Sequence, residues 1–504
     1  MKKKNVLLIT SDQQHWNTLG FFNPEIKTPN LDRLIKEGTT FSRAYCPNPT
    51  CTPTRCSLIT GLYPSQHGGW SLGTKMPEET LTIGDILMKK GYRTGLVGKA
   101  HFQHNLQNEK YSSLEAMPII HDLDFWKTFQ DVFYGFDHIE LTRNHTVEFL
   151  VGQHYAIWME EKGFNNWKDY YQPPIGTLDP SSKRIWEIPE EFHYNTWISE
   201  RSNKLLEEYK NKNENFFLWS SFFDPHPPYF VPEPWASMYD PNDITLPHHL
   251  NDEHEKTSPL LKLTQEIDPD YSKYYEPKDK NWLHGCHSHI HNKEDLKKDI
   301  AIYYGMISMM DNYIGKILDK LDELKLTDNT IIVFTSDHGH FFGQHNLIAK
   351  GPFHYEDMIK VPLIVKEKGV VPESIVNESL QSLVDFTPTI LSKLGFEIPR
   401  TMAGKDQSKV WNNEKKSVRN YIMVENQHTE NTVNLRTLVN ERYKLTVYYN
   451  KTHGELYDLK NDPLEFNNLW NNSEYAELKS KLLLDFMWAE MDKVPLWMPR
   501  VSLA

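Results

Sequence analysis

Two stretches far apart in the chain end alike. NVLLITSDQQ (Asn5 to Gln14) and IIVFTSDHGH (Ile331 to His340) each stop a short apolar run at an aspartate, Asp12 and Asp337, followed by Gln13 and His338. Short apolar, β-rich runs of this kind read as strands buried on both faces. In a parallel sheet the carboxyl ends of the strands open onto one crevice, so two carboxylates, an amide oxygen and an imidazole would converge there. That is a ligand set for a divalent cation: the oxygens suit calcium, magnesium or manganese, and the nitrogen tilts slightly toward manganese. Each aspartate alone could instead cap the element after its strand; the matched pair favours a shared site. Two further apolar runs repeat the arrangement, GLVG before Lys99 and His101, and FFLWSSFF before Asp224 and His226. A lone histidine in a Pro-rich turn is ordinarily a loop residue, but four strands discharging polar residues at the same end point to a common pocket.

The segment CPNPTCTPTRCSLITGLYPSQHG, Cys46 to Gly68, holds three of the four cysteines at five-residue intervals. Disulfides, a metal site, a catalytic thiol and three packing residues are all compatible with that spacing. Four cysteines in 504 residues make no disulfide framework, and no Cys-x-x-Cys pair marks a zinc ribbon or redox site. Pro47, Pro49 and Pro53 oppose helix up to about Thr52, and RCSLITGLY reads as a helix stopped near Gly61. Cys51 then sits at a helix N-terminus, where the dipole lowers a thiol's pKa and favours bound anions. Arg55 lies one turn along the same face.

The elements that must position these residues alternate, short β-rich runs with helical patterns, as in an α/β protein with a large, mostly parallel sheet flanked by helices. The strand candidates are NVLLIT, RTGLVG, NFFLWSSFF, TIIVFTSD, VPLIVKE and YIMVEN, and apolar spacings of three and four predict helices over Thr28 to Glu37, Leu81 to Lys90 and Ile300 to Leu324. The stretches from about Leu106 to Trp197 and from Asp240 to Lys298 read as long excursions from the sheet that shape a binding site. After about Pro399 the texture changes to short strands and a closing helix from Tyr475 to Met491. The expectation is a main domain over residues 1–399 and a smaller α+β subdomain over 400–504, with a small antiparallel sheet and a terminal helix. No internal repeat is seen.

CTPTR, Cys51 to Arg55, fits Cys-x-Pro-x-Arg, and with the continuation CSLITGLYPSQHG it resembles the signature of the type I, formylglycine-dependent sulfatases of the alkaline phosphatase superfamily. The resemblance extends through TPNLDRLIKEGTTFSRAY, GKAH, DPHPPY, TSDHG, AKGPFHYEDMIKVPLIV and GELYDLKNDPLEFNNL, in order along the chain. It implies that Cys51 is converted to formylglycine by a formylglycine-generating enzyme, and that the hydrated aldehyde is the nucleophile. Asp12, Gln13, Asp337 and His338 match the metal ligands, completed by the modified Cys51 side chain, with calcium the family default and manganese the alternative. Arg55 matches the residue holding the hydrate, Lys99 one contacting hydrate and sulfate, and His101 the base at the second hydroxyl. His226 and Lys350 match residues at the bridging ester oxygen, where the leaving alcohol needs a proton or positive charge. Many sulfatases carry Asp-Asp and Asp-Asn where this chain has Asp12-Gln13 and Asp337-His338. That variant resembles the branch with phosphonate monoester hydrolases, choline sulfatases and some carbohydrate sulfatases. The implied activity is hydrolysis of a sulfated sugar or another small organic sulfate, with phosphonate monoester or phosphodiester hydrolysis as the runner-up. An inactive binding protein is disfavoured because every catalytic position is filled.

Fifty-five basic and 68 acidic side chains give a formal charge of −13 and a pI near 6.0, which argues against nucleic acid as a partner. No run is long and apolar enough to span a membrane, and the N-terminal MKKKNVLLITSDQQ is too short in its apolar part for a signal peptide, so a cytoplasmic location is expected. Homo-oligomerisation stays open. Among weaker signals, His428 follows a strand of the C-terminal subdomain and is a candidate substrate contact; His340 and His345 are candidates for the pocket wall. HGCHSHIH, with His284, Cys286, His287, His289 and His291, reads as a solvated loop rather than a second metal site. The tryptophans from Trp126 to Trp197 fit sugar stacking and core packing equally.

Overall fold

Val6, Leu7, Leu8 and Ile9 carry no solvent-exposed surface, as an unbroken apolar run demands when both faces of its sheet are covered. A computed structural model describes residues 3–144, 148–171, 185–247, 258–266, 270–271, 293–428 and 433–502. The main sheet consists of β1 (Asn5–Ser11), β2 (Thr39–Phe41), β3 (Arg93–Gly98), β4 (His138–Leu141), β5 (Phe216–Ser221), β6 (Thr330–Ser336), β7 (Leu363–Lys366) and β8 (Ile375–Asn377). Their spatial order is β8, β2, β7, β6, β1, β5, β3, β4. Every neighbouring pair is parallel except those of β7, which runs antiparallel to β6 and β2.

Alternate residues of β1 feed two cores. Leu7 and Ile9 pack with the helices Tyr194–Asn211 and Lys293–Glu323; Val6 and Leu8 pack with the layer holding Leu58 and Ile59 of the helix Cys51–Thr60. That helix begins at Cys51 itself, earlier than the prolines suggested. Pro53 is its third residue, where an N–H would have no intrahelical acceptor and its loss costs nothing. Gly61 ends it in the left-handed conformation, at φ 67°.

A second, antiparallel sheet orders β9 (Tyr421–Gln427), β10 (Asn434–Asn440), β11 (Tyr443–Tyr448) and β12 (Gly454–Asp458) consecutively, with Leu445 and Leu456 packed against Leu482 of the helix Ala476–Asp492. Strand β9 lies on the loop before Cys51: Glu425 N donates to Pro47 O (2.8 Å), and Asn48 Nδ2 donates to Glu425 O (2.7 Å). The Glu425 carboxylate accepts from Ser65 N (2.9 Å) and Lys493 Nζ (2.5 Å). Among the described residues no helix is long and apolar enough to cross a membrane.

Candidate active site

The four strands read as donors of polar residues are neighbours, in the order β6, β1, β5, β3, and all parallel. Their ends are level, with Ser11 opposite Ser336, Thr10 opposite Ser221 and Gly98 opposite Ser221. Asp12, Gln13, Lys99, Asp224, Asp337 and His338 therefore leave the sheet along one edge, and all are buried. The helix Cys51–Thr60 adds Cys51 at its first turn.

Cys51 Sγ lies 3.5 Å from Asp12 Oδ1, 3.3 Å from His338 Nε2 and 3.2 Å from Lys350 Nζ. Ligand atoms of Asp12, Cys51, Asp337 and His338 all fall within 4.8 Å of one another. His338 Nδ1 is 3.0 Å from the Gly339 carbonyl, so it carries the proton and Nε2 keeps its lone pair for the site. Gln13 N and His338 N both donate to Asp337 Oδ1 at 2.9 Å. Gln13 Oε1 is buried with no partner among the described residues, a vacancy in hydrogen bonding that a cation would fill.

Cations ring these carboxylates. Lys99 Nζ donates to Asp12 Oδ2. Arg55 Nε donates to Asp337 Oδ2 (2.9 Å), and its Nη1 donates to Lys99 O (3.0 Å) and Ser221 Oγ (2.8 Å). Burial alone would raise the Asp12 carboxyl, but Lys99, followed by His226, Arg55 and Lys350, holds it well below its ordinary value. Burial and Asp12 push the Cys51 thiol up; Lys350 and Lys99 outweigh them and lower it. Burial raises the thiols of Cys46 and Cys56, which are free, buried and packed in the core.

Lys350 Nζ also lies 3.2 Å from His226 Nε2, while His226 Nδ1 faces Pro227 O at 2.5 Å. His101 lies in a turn at φ 61°, its backbone N–H and those of Phe102 and Gln103 held by the Glu115 carboxylate at 2.7 to 2.8 Å. Arg143 Nη2 donates to His101 Nε2 at 2.8 Å. Burial first, then Arg143, Lys99 and Arg55, hold the His101 imidazole well below its usual pKa. His428 stands beside the centre, in a cleft shared with Thr50 and Gly351, the neighbours of Cys51 and Lys350.

The remaining candidates divide. His340 and His345 are buried, His340 against Gln13 and His345 stacked on Tyr355 with ring centroids 3.7 Å apart. Trp126, Trp158, Trp167, Trp186 and Trp197 are buried, which decides for packing over sugar stacking. The histidines of HGCHSHIH lie outside the described residues. Sequence reasoning missed Arg143 and Glu115. Arg143 follows β4, an edge strand of four residues too short for its pattern to register, so the strand-end rule had no strand to act on there.

Residues 4–396 match the family profile described as Sulfatase, and residues 343–491 match N-sulphoglucosamine sulphohydrolase, C-terminal. The chain belongs to the sulfatase family. It is similar to an arylsulfatase of Clostridium perfringens, at 30% identity over 94% of this chain and 92% of that protein. It is also similar to an N-acetylglucosamine-6-O-sulfatase of Bacteroides thetaiotaomicron, at 25% identity over 96% of this chain and 85% of that protein. The phosphonate monoester hydrolase of Agrobacterium radiobacter superposes with a TM-score of 0.79 at 24% identity, covering 98% of this chain and 96% of that one; that likeness establishes the fold. As a sulfatase, this chain is a sulfuric ester hydrolase. Sulfatases use a formylglycine and a divalent metal. The donors fit the metal: two carboxylates, an imidazole with its lone pair inward and an amide oxygen lacking any other partner.

Proposed function

We propose that this sulfatase acts on a sulfated carbohydrate or another small organic sulfate. In this reading Cys51, converted to formylglycine by a generating enzyme, is the nucleophile, and Asp12, Gln13, Asp337 and His338 hold one divalent cation, calcium ahead of manganese. The observation that carries the reading is the Cys51 sulfur itself, 3.5 Å from Asp12 Oδ1, 3.3 Å from His338 Nε2 and 3.2 Å from Lys350 Nζ. One side chain thus faces both the ligand set and a cation suited to a leaving oxygen. Three oxygen-donor residues against one nitrogen favour calcium. The hydrated aldehyde would supply two hydroxyls on one carbon, one to attack sulfur and one to expel sulfate afterwards.

The chain's own residues have separable tasks. Arg55 and Lys99 offset charge on the transferring group. Lys350 and His226, in contact through Nε2, deliver a proton to the departing alcohol. His101, kept neutral by burial and its cationic neighbours, would accept one at Nε2 once that nitrogen is released from the Arg143 Nη2 now donating to it. His428 contacts the alcohol portion from its cleft beside Thr50 and Gly351. The N-acetylglucosamine-6-O-sulfatase among the relatives supports a sugar there.

Mature protein assayed with paired aryl sulfate and phosphonate monoesters, then with position-defined sulfated mono- and disaccharides, tests the reading. The expected result is a larger kcat/KM for sulfate, loss of turnover in Cys51→Ala, and loss on chelation restored by Ca2+. A much larger kcat/KM for phosphonate would assign the alternative, phosphonate monoester or phosphodiester hydrolysis. The neutral Gln13 in the ligand set keeps that alternative in view, because it leaves the centre less negative than a second carboxylate there would.

A further inference from the structure

Gln13 is the one proposed ligand whose side chain can meet a cation in two ways, oxygen first or NH2 first, and only the first binds. We propose that His340 and Tyr229 set that orientation through a hydrogen-bonded relay that turns the Gln13 carbonyl oxygen toward the metal. The inference rests on the metal-centre reading above and assigns two positioning residues, neither of them a ligand.

Gln13 Nε2 lies 2.9 Å from His340 Nδ1, and His340 Nε2 lies 2.7 Å from the Tyr229 hydroxyl. An amide nitrogen only donates, so Nδ1 must accept, and the neutral imidazole then carries its proton on Nε2 and donates to Tyr229. The imidazole cannot turn away. The Tyr303 ring stacks on it with centroids 5.0 Å apart, and Phe342 meets it edge-on at 4.5 Å. The Gln13 backbone is equally fixed, its N–H donating to Asp337 Oδ1 (2.9 Å) and its carbonyl accepting from the Tyr303 hydroxyl (2.8 Å). What remains free is the amide flip, and it is tied to the imidazole tautomer. A proton on Nδ1 would demand the amide oxygen and turn NH2 toward the cation. Tyr229 supplies the acceptor without which the productive tautomer would bury an unpaired N–H. His340 has no exposed surface at which solvent could take that role. Gln13 Oε1, partnerless among the described residues, is the group the relay leaves for the ion.

The test is calorimetric titration of the full-length protein with CaCl2 and with MnCl2. Tyr229→Phe should weaken both ions by about 10-fold or more, the usual effect of losing a residue that orients a metal ligand. Gln13→Glu presents oxygen whichever way it turns, so Gln13→Glu and the Gln13→Glu/Tyr229→Phe double variant should bind alike. A merely structural role for Tyr229 would not vanish in that background. Side-chain 15N spectra of the metal-loaded wild type should show His340 protonated on Nε2. Should Tyr229→Phe not fold, His340→Gln, which retains an acceptor, should keep wild-type affinity where His340→Leu loses it. Unchanged affinity in Tyr229→Phe, an equal loss in the Gln13→Glu background, or a proton on Nδ1 each overturns the relay. A wild type that binds neither ion removes the metal centre and the relay with it.

Discussion

Arg143 donates to His101, the group proposed as base, and that contact has a signature in the pH profile. The guanidinium donates to Nε2 and, after burial, is the largest influence disfavouring the imidazolium. A base works only when unprotonated, so anything that raises its pKa pushes the acid limb of the rate profile to higher pH. Arg143→Ala should therefore move the acid limb of kcat upward, still below an ordinary histidine because burial remains. Hydrogen bonds to charged groups are worth about 1.5–3 kcal/mol, so kcat should also fall by about 10- to 100-fold. A pH–rate series on the two proteins checks both, and an unmoved limb would assign it to another group. Much of this scale was legible in advance: Cys51, Asp12, Asp337, His338 and Lys99 come together as their strand ends and helix start suggest, and Lys350, which only the resemblance singled out, joins them. Arg143 was not, because its partner comes from a turn at φ 61° fixed by the distant Glu115, and no local pattern announces such a contact.

At the scale of elements, the site exists because four parallel strands stop level, and Gly98 shows how tight that is. It ends β3 at φ 108°, and a Cβ there would lie 1.9 Å from the Ser221 carbonyl oxygen of β5. Gly98→Ala should cost at least the roughly 1–2 kcal/mol of a left-handed non-glycine residue, and the clash would separate the strand delivering Lys99 from the one leading to His226. A lower urea midpoint with loss of turnover is expected; wild-type values for both would show that the strand ends can part without harm. The central strands were readable because β1, β5 and β6 are apolar on both faces. β2, β4 and β8 were not, since three or four residues carry too little periodicity to register. The helix start at Cys51 was misjudged by a few residues because proline is harmless in a first turn.

At the scale of the whole molecule, Glu425 is the rivet between the second sheet and the catalytic core. Burial would raise its carboxyl, but Lys493 and then Arg436 hold it below the ordinary value near 4.5. A depressed folded pKa adds stability that is present above the unfolded value and lost as pH falls through the folded one. Removing one partner of a buried ion pair typically costs about 3–5 kcal/mol, so Glu425→Gln should lower the urea midpoint substantially at neutral pH. The two midpoints should converge at acid pH, where the wild-type side chain is itself protonated; a gap independent of pH would mean that the Glu425 charge, paired with Lys493 and Arg436, adds nothing to the strand's stability. The same rivet fixes a sequence of events. Cys51 is 1% exposed, so the conversion proposed above would have to come before the chain closes over its thiol. The strand bearing Glu425 is synthesised roughly 370 residues after Cys51, about 20–75 s at ordinary elongation rates. Under the proposed reading that delay is the window in which a generating enzyme would meet an uncovered thiol; a chain that finished folding unmodified would keep Cys51 sealed inside itself.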